Sequence, residues 1–263
     1  MSAKVEYTVF TKPWKMPIDE LAKLVKKMGF AGIELPVRPG YQVEPESIGK
    51  KLPEAAKVFA DHGLRIATVA GPTDEKTIAA CGEAGVPIIR VMARLKPDES
   101  YQAMEDRIRK TYESLIPALE KHSVTLGMQN HCDEFVCDMA GTARLIEGFD
   151  TKHVAAVLDF CHCALAGEIP NIACDIIWDK LCLINMKNCY RKRVSPPEAK
   201  VTEWEKVWCL AREGFSHYPT IAEELKKRNY VGDICLSAEY SEEDKVDEYI
   251  ADDLAFAKEL FGD

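Results

Sequence analysis

The chain has 263 residues, 47% of them hydrophobic, with 43 acidic against 34 basic side chains and a formal net charge of -9. That length and apolar content suit one core of the size a (β/α)-type domain needs, and the ordinary glycine, proline and charged content excludes disordered and fibrous classes. The acidic balance argues against a general nucleic-acid binder, which needs basic surface to displace counterions.

Residues 1–6 contain no apolar h-region, so no signal peptide is expected. No run of about 18 apolar residues occurs, so no membrane span is expected. The ten cysteines lie mostly inside apolar elements and never show CxxC spacing, which reads as reduced thiols in a cytoplasmic protein.

Residues 5–10 read as a first strand, and residues 17–28 as a helix with Asp19 and Glu20 at its start, lysines at its end and Gly29 as its stop. A short strand over 32–35 carries Glu34 near its tip, and a loop rich in proline and glycine follows. A helix over 52–62 is closed by Gly63. Then come a strand over 64–69, a short helix over 74–81, a strand over 86–92 and a long amphipathic helix over 101–121. The second half repeats the pattern: strand 124–131, helix 140–146, strand 155–158, helix 172–178, strand 181–186. A basic loop over 190–194 precedes a helix over 218–229, a strand over 234–238 and a closing helix over 246–261.

Strand and helix alternate eight times with few hairpin signals, which argues a parallel sheet with helical crossovers. Eight units in this length predict a closed (β/α)8 TIM barrel, one domain spanning residues 1–263. The alternative is an open doubly wound sheet, but no glycine-rich phosphate fingerprint follows the first strand.

Four strands end in polar side chains: Gln129, Asp159, Asn185 and Glu239. In a barrel these tips converge on one mouth. Carboxylates and amide oxygens are hard ligands for a divalent ion, which would polarise a substrate carbonyl or hydroxyl pair. Plainer roles compete. Asp159 can cap a turn, Glu239 can open an acidic surface loop, and the two amides can close strand-end hydrogen bonds.

His131 and His162 follow two of the tips and can contact substrate or move protons, or simply pack. Lys187 shares the face of Asn185; pointing inward, it would need Asp159, Glu239 or a substrate as partner. Glu34 can bind a hydroxyl or pair with Arg38. Trp14 is a stacking wall for a sugar ring or a core residue. His62 reads as a helix cap. Cys132, Cys161, Cys163 and Cys189 also lie near the tips, but their spacing matches no closed zinc motif. Arg191, Lys192 and Arg193 can receive a phosphate or carboxylate, or form a solvated basic loop.

These residues, in this order, resemble the xylose-isomerase-like TIM barrels, which include sugar phosphate isomerases/epimerases, ketose 3-epimerases, inosose dehydratases and endonuclease-IV-type enzymes. The resemblance covers nearly the whole chain. It rests on residues 30–35 with Glu34, on His62 and Gly63 before the third strand, and on Gln129 with His131. Asp159 with His162, then Asn185, Lys187 and Asn188, and finally Glu239 complete it. It implies a divalent-metal site, Mn or Mg ahead of Zn, at Gln129, Asp159, Asn185 and Glu239. Taken together with the residues themselves, the expected catalytic set is Glu239, His162 and Lys187, with substrate contacts from Glu34, Trp14, His131, Asn188 and Arg191.

The chain departs from that pattern where Gln129 stands for a glutamate, Asn185 for a histidine and Asn188 for an aspartate. Gln129 accepts no proton, so a two-carboxylate shuttle needs His131 or His162 as a substitute. The expected function is a sugar isomerase/epimerase-like enzyme abstracting a proton beside the carbonyl of a small keto-sugar, polyol or sugar phosphate, with a weakened metal site. The alternatives are a metal-free or non-catalytic carbohydrate-binding barrel and, behind it, an endonuclease-IV-like nuclease. Expected partners are small carbohydrates, with no nucleic acid, no membrane, and a homodimer or homotetramer as assembly.

Overall fold

Eight parallel strands close into a barrel in the order β1-β10-β7-β6-β5-β4-β3-β2 in a computed structural model that describes residues 4–262. The strands are β1 Val5–Phe10, β2 Gly32–Pro36, β3 Arg65–Ala70, β4 Ile88–Met92, β5 Thr125–Gln129, β6 Val154–Asp159, β7 Leu181–Met186 and β10 Gly232–Leu236. Closure joins β1 to β10, with Val5 opposite Gly232 and Val9 opposite Leu236. Residues 1–3, on which part of the signal-peptide reading falls, lie outside the described residues.

Helices α1 Ile18–Met28, α2 Ile48–Asp61, α3 Glu75–Ala84, α4 Tyr101–His122, α5 Met139–Leu145, α7 Pro170–Ile177, α8 Tyr218–Lys227 and α9 Val246–Phe261 form the outer ring. Local chemistry sets their ends. Asp74, Ser100 and Asp138 each accept a backbone N–H from the first turn of the helix they precede, which satisfies a donor the helix cannot. Gly29, Gly85 and Gly167 sit at left-handed φ where helices stop. His62 occupies the C-terminal cap of α2, as expected, and its Nε2 lies 3.0 Å from Asp19.

Two elements depart from the sequence reading. The basic loop is instead a two-stranded antiparallel ribbon, β8 Asn188–Arg193 paired with β9 Trp204–Cys209. Its outer residues, Arg191, Lys192, Arg193 and Glu205 with Trp204, are exposed and mostly charged, so they lack the apolar alternation that marks a strand. A seven-residue helix, α6 Phe160–Ala166, follows β6 directly. All ten cysteines are free thiols, and no single helix among the described residues is long and apolar enough to cross a membrane.

Inside the barrel, Phe10, Ala70, Val157, Leu183 and Cys235 form an apolar plug. Two residues further along β6 and β7 the same inward face presents Asp159 and Asn185, because side chains on a strand repeat every second residue. The plug therefore carries a polar layer on its C-terminal side, the side where TIM barrels place their chemistry.

Candidate functional site

The polar layer is tied together by a buried arginine that the sequence reading passed over. Arg90, on β4, donates from Nε to both Glu34 oxygens at 2.7 and 2.8 Å, and its Nη1 donates to Gln129 Oε1. Its guanidinium also lies over the Phe10 ring, 4.8 Å from the centroid. Burial disfavours the charge, but Glu34 outweighs that and holds Arg90 above its ordinary value. Glu34 thus pairs with Arg90 rather than Arg38. It is fully buried.

Gln129 relays this charge. Its oxygen faces Arg90 and its amide donates to Asp159 Oδ2 at 2.8 Å. A neutral amide suits that position because one neighbour is a donor and the other an acceptor. The other oxygen of Asp159 accepts the backbone N–H of Cys161 at 3.0 Å and of His162 at 3.4 Å. Asp159 therefore does cap a helix, α6, while also facing the mouth.

Lys187 is the centre of the mouth. Its Nζ lies 3.2 Å from Glu239 Oε2 and 3.8 Å from Asp159 Oδ2, and 4.8 Å from the centroid of the Trp208 ring. Burial works against its charge, but Glu239 and Asp159 prevail and hold the ammonium above the usual lysine range. Lys12, after β1, donates to the other oxygen of Glu239 at 2.5 Å. Burial would raise the Glu239 carboxyl; Lys187 and Lys12 overcome it and hold it far below the usual carboxylate range. Glu239 is aimed by its neighbour: Ala238 takes a positive φ of 50°, which turns the chain just beyond β10. Positive φ is uncommon for a residue with a Cβ, and such strain gathers at functional sites.

The histidines stack, with ring centroids 4.1 Å apart. His131 Nδ1 lies 2.9 Å from the Cys132 carbonyl, which can only accept, so that nitrogen carries the proton and Nε2 keeps its lone pair. Burial, then the Lys187 charge, pushes His131 down to about 4, so its ring is neutral at pH 7. His162 is fully buried behind it; its Nδ1 accepts the Cys132 N–H at 3.1 Å, which leaves the proton on Nε2. Burial holds this ring far below its ordinary value. His162 thus props the loop that carries His131.

A cavity of about 610 Å³ opens over this centre, lined among others by Lys12, Lys15, Tyr41, His131, Lys187, Trp208 and Glu239. That is the size of a small-molecule site. Trp208 comes from the β8–β9 ribbon, so the unpredicted hairpin supplies one wall. Lys15 forms no ion pair among the described residues and rests against the Tyr41 ring, 4.9 Å from its centroid.

Other predicted contacts stand apart. Trp14 is buried and donates to Asp247 at 2.7 Å. Asn188 spends its side chain on the backbone of Cys189, Ala211 and Ser216, which fixes the base of the ribbon. Arg191 is exposed along β8, outside the cavity lining. The sequence signal for Arg90 was a charge inside the apolar run 86–92. Lys12 and Trp208 carried none.

The divalent site implied by the resemblance does not fit these residues. Glu239 has an ammonium on each oxygen, Gln129 Oε1 is taken by Arg90, and of the four expected ligands only Asn185 Oδ1 is buried without a partner. Hard divalent ions take about six oxygen ligands, and one placed ~4 Å from the Lys187 ammonium would meet a repulsion of about 8 kcal/mol at an effective dielectric of ~20. A softer set, His131, Cys132 and His162, lies with ligand atoms within 4.8 Å of one another. Burial pushes the Cys132 thiol up to about 11, away from the thiolate that metals bind, and Lys206 stands 3.5 Å from its sulfur.

Fold and site define a (β/α)8 barrel with a polar, lysine-lined C-terminal mouth. The chain belongs to the xylose isomerase-like TIM barrel family, whose model matches residues 22–260. Its fold is similar to that of a probable 3-DHS dehydratase from Bacillus anthracis (17% identity, TM-score 0.73, covering 96% of this chain and 98% of that one). It is likewise similar to a D-psicose 3-epimerase from Clostridium cellulolyticum H10 (12%, 0.74, 97% and 99%). A third similar structure is a 3-keto-D-glucoside 4-epimerase from E. coli (17%, 0.71, 97% and 100%). Comparison with curated protein sequences returned no match.

Proposed function

We propose that the chain is an enzyme of the sugar isomerase and epimerase kind, moving a proton on the carbon beside the carbonyl of a small keto-sugar or polyol-derived ketone. The observation that carries this reading is the neutral His131 imidazole lining the same cavity as the Lys187 ammonium. A base with a free lone pair next to a fixed cation is the minimum for enolisation: the base takes the proton, and the cation receives the negative charge that moves onto oxygen.

In this reading His131 Nε2 removes the proton and the electron pair moves to the carbonyl oxygen beside Lys187. The imidazolium then returns the proton from the same side to the neighbouring carbon, which exchanges the positions of carbonyl and hydroxyl. Glu239 keeps both lysines oriented and is too acidic to serve as the base. Lys12 and Lys15, at the rim, suit a phosphate or carboxylate carried by the substrate. Such an anion would also offset the positive field that depresses His131 and so raise its basicity.

The test is incubation of the protein in D2O with a panel of keto-sugars, their phosphates and sugar acids, watched by proton NMR. Loss of an α-proton signal for one substrate, absent with a His131→Gln variant, is the expected result. A second reading, carbohydrate binding without turnover, is favoured by Gln129, which cannot exchange protons where the family resemblance implies a glutamate. Ligand-induced thermal shifts with no exchange for any compound would support that reading over the first.

A further inference from the structure

We infer that the Lys187 ammonium is the resident cation of this mouth and takes the place of a divalent metal. Three buried or half-buried carboxylates, Glu34, Asp159 and Glu239, face three cations, Arg90, Lys187 and Lys12. The cluster is neutral as built. A divalent ion added to it would leave two positive charges uncompensated beside the buried Asp159 and Lys187, which is unfavourable.

Position supports the same conclusion. Lys187 Nζ lies within 4 Å of both an Asp159 and a Glu239 oxygen, so it spans the two carboxylates that a metal would have to share. The side chain does not reach there by chance of rotamer. Its backbone N–H and carbonyl are both held by the Tyr218 hydroxyl, and the Trp208 ring covers its ammonium. The neighbouring acceptor, Gln129 Oε1, is turned to a second protein cation, Arg90.

An ammonium does part of what a metal does. It polarises a carbonyl and stabilises an oxyanion, though by hydrogen bonds and through one charge. That consequence rests on the proposed reaction, but the occupancy of the site by Lys187 does not.

The experiment measures Mn2+ binding rather than turnover. Free Mn2+ is followed by electron paramagnetic resonance as the native protein is added, and melting temperature is recorded with and without Mn2+. The native protein is expected to leave Mn2+ free and its melting temperature unmoved. Lys187→Met, which vacates the position and unpairs Asp159 and Glu239, is expected to bind one Mn2+ and melt about 5 °C or more higher at a roughly hundredfold excess over Kd.

One Mn2+ bound per native chain and lost in Glu239→Gln would overturn the inference. So would a folded Lys187→Met variant that gains no Mn2+ binding. If Lys187→Met does not fold, the native titration and its Glu239→Gln control decide alone. Absence of proton exchange in the sugar screen would count against the proposed reaction without touching this result.

Discussion

The Tyr218 hydroxyl clamps Lys187 at both ends of one residue: it accepts the Lys187 N–H at 3.0 Å and donates to the Lys187 carbonyl at 2.8 Å. Tyr218 is fully buried on α8, so the outer helix reaches through to set the position of the cation in the mouth. Tyr218→Phe keeps the ring and removes only the hydroxyl. It should cost about 1–3 kcal/mol, the usual penalty for leaving buried polar groups unpaired. Urea unfolding checks this, and an unchanged midpoint would mean that water replaces the hydroxyl.

Arg90 and Glu34 form a pair in which both side chains are almost wholly buried, at 7% and 1% exposure. Removing one partner leaves an uncompensated charge, so Glu34→Gln or Arg90→Met should each destabilise by about 3–5 kcal/mol. The double variant should lose less than the sum of the two, because neither charge then remains unpaired. A double-mutant cycle in urea measures the difference. Additive losses would show that the pair is not coupled.

His131 carries the proton in the proposed reaction. His131→Gln should lower the rate of substrate proton exchange by about a hundredfold to ten-thousandfold, the usual contribution of a positioned base, while the melting transition stays cooperative. Exchange kinetics on the best substrate of the screen measure it. A large loss in Glu239→Gln with none in His131→Gln would return the base to the carboxylate.

Lys12 acts at the rim, with its side chain 41% exposed. Lys12→Met should raise KM for a phosphorylated or carboxylated substrate more than it lowers kcat, since the contact is made equally in ground and transition states. The defect should shrink as salt rises, because an exposed charge is screened. Steady-state kinetics at two ionic strengths test this, and an equal loss on uncharged sugars would refute it.

Asp253 on α9 provides a pH signature away from the mouth. Burial raises its carboxyl to about 6, although the Ala211 N–H at 2.8 Å and the Tyr240 hydroxyl at 2.7 Å oppose the rise. The folded protein therefore binds this proton more readily than the unfolded chain between pH ~4 and ~6. Its contribution to stability is fully present below the unfolded value and is lost as pH rises through about 6. Relative to Asp253→Asn, the native protein should gain up to about 3 kcal/mol on going from pH 7 to pH 4. Urea midpoints of both proteins across that range measure the gain. Parallel pH profiles would contradict it.

Much of the barrel was legible in the chain because its signals are local. Apolar runs such as 155–158 are buried on both faces and announce parallel strands, and helix ends follow from caps such as Asp74 and stops such as Gly29. The ribbon β8–β9 escaped because a hairpin standing in solvent needs no apolar face, and its two strands are joined by a ten-residue connection with Pro196 and Pro197 rather than a tight turn. The short α6 escaped because it has only seven residues, the first four of them buried in succession, too short a stretch to show an amphipathic period.

By itself the sequence determined which tips are polar and what they cannot do. Gln129 cannot accept a proton and Asn185 carries no charge in any fold, because those are covalent facts. Only the tertiary structure decided who neutralises whom. Arg90 meets Glu34 across 56 residues and Lys12 meets Glu239 across 227, pairings that exist because barrel closure brings β1 beside β10 and sets the inward faces of β2 and β4 against each other. Charge in a buried site must be balanced locally, and the chain alone does not say which distant side chain does it. That balance, rather than the polar tips themselves, fixes the chemistry open to this mouth.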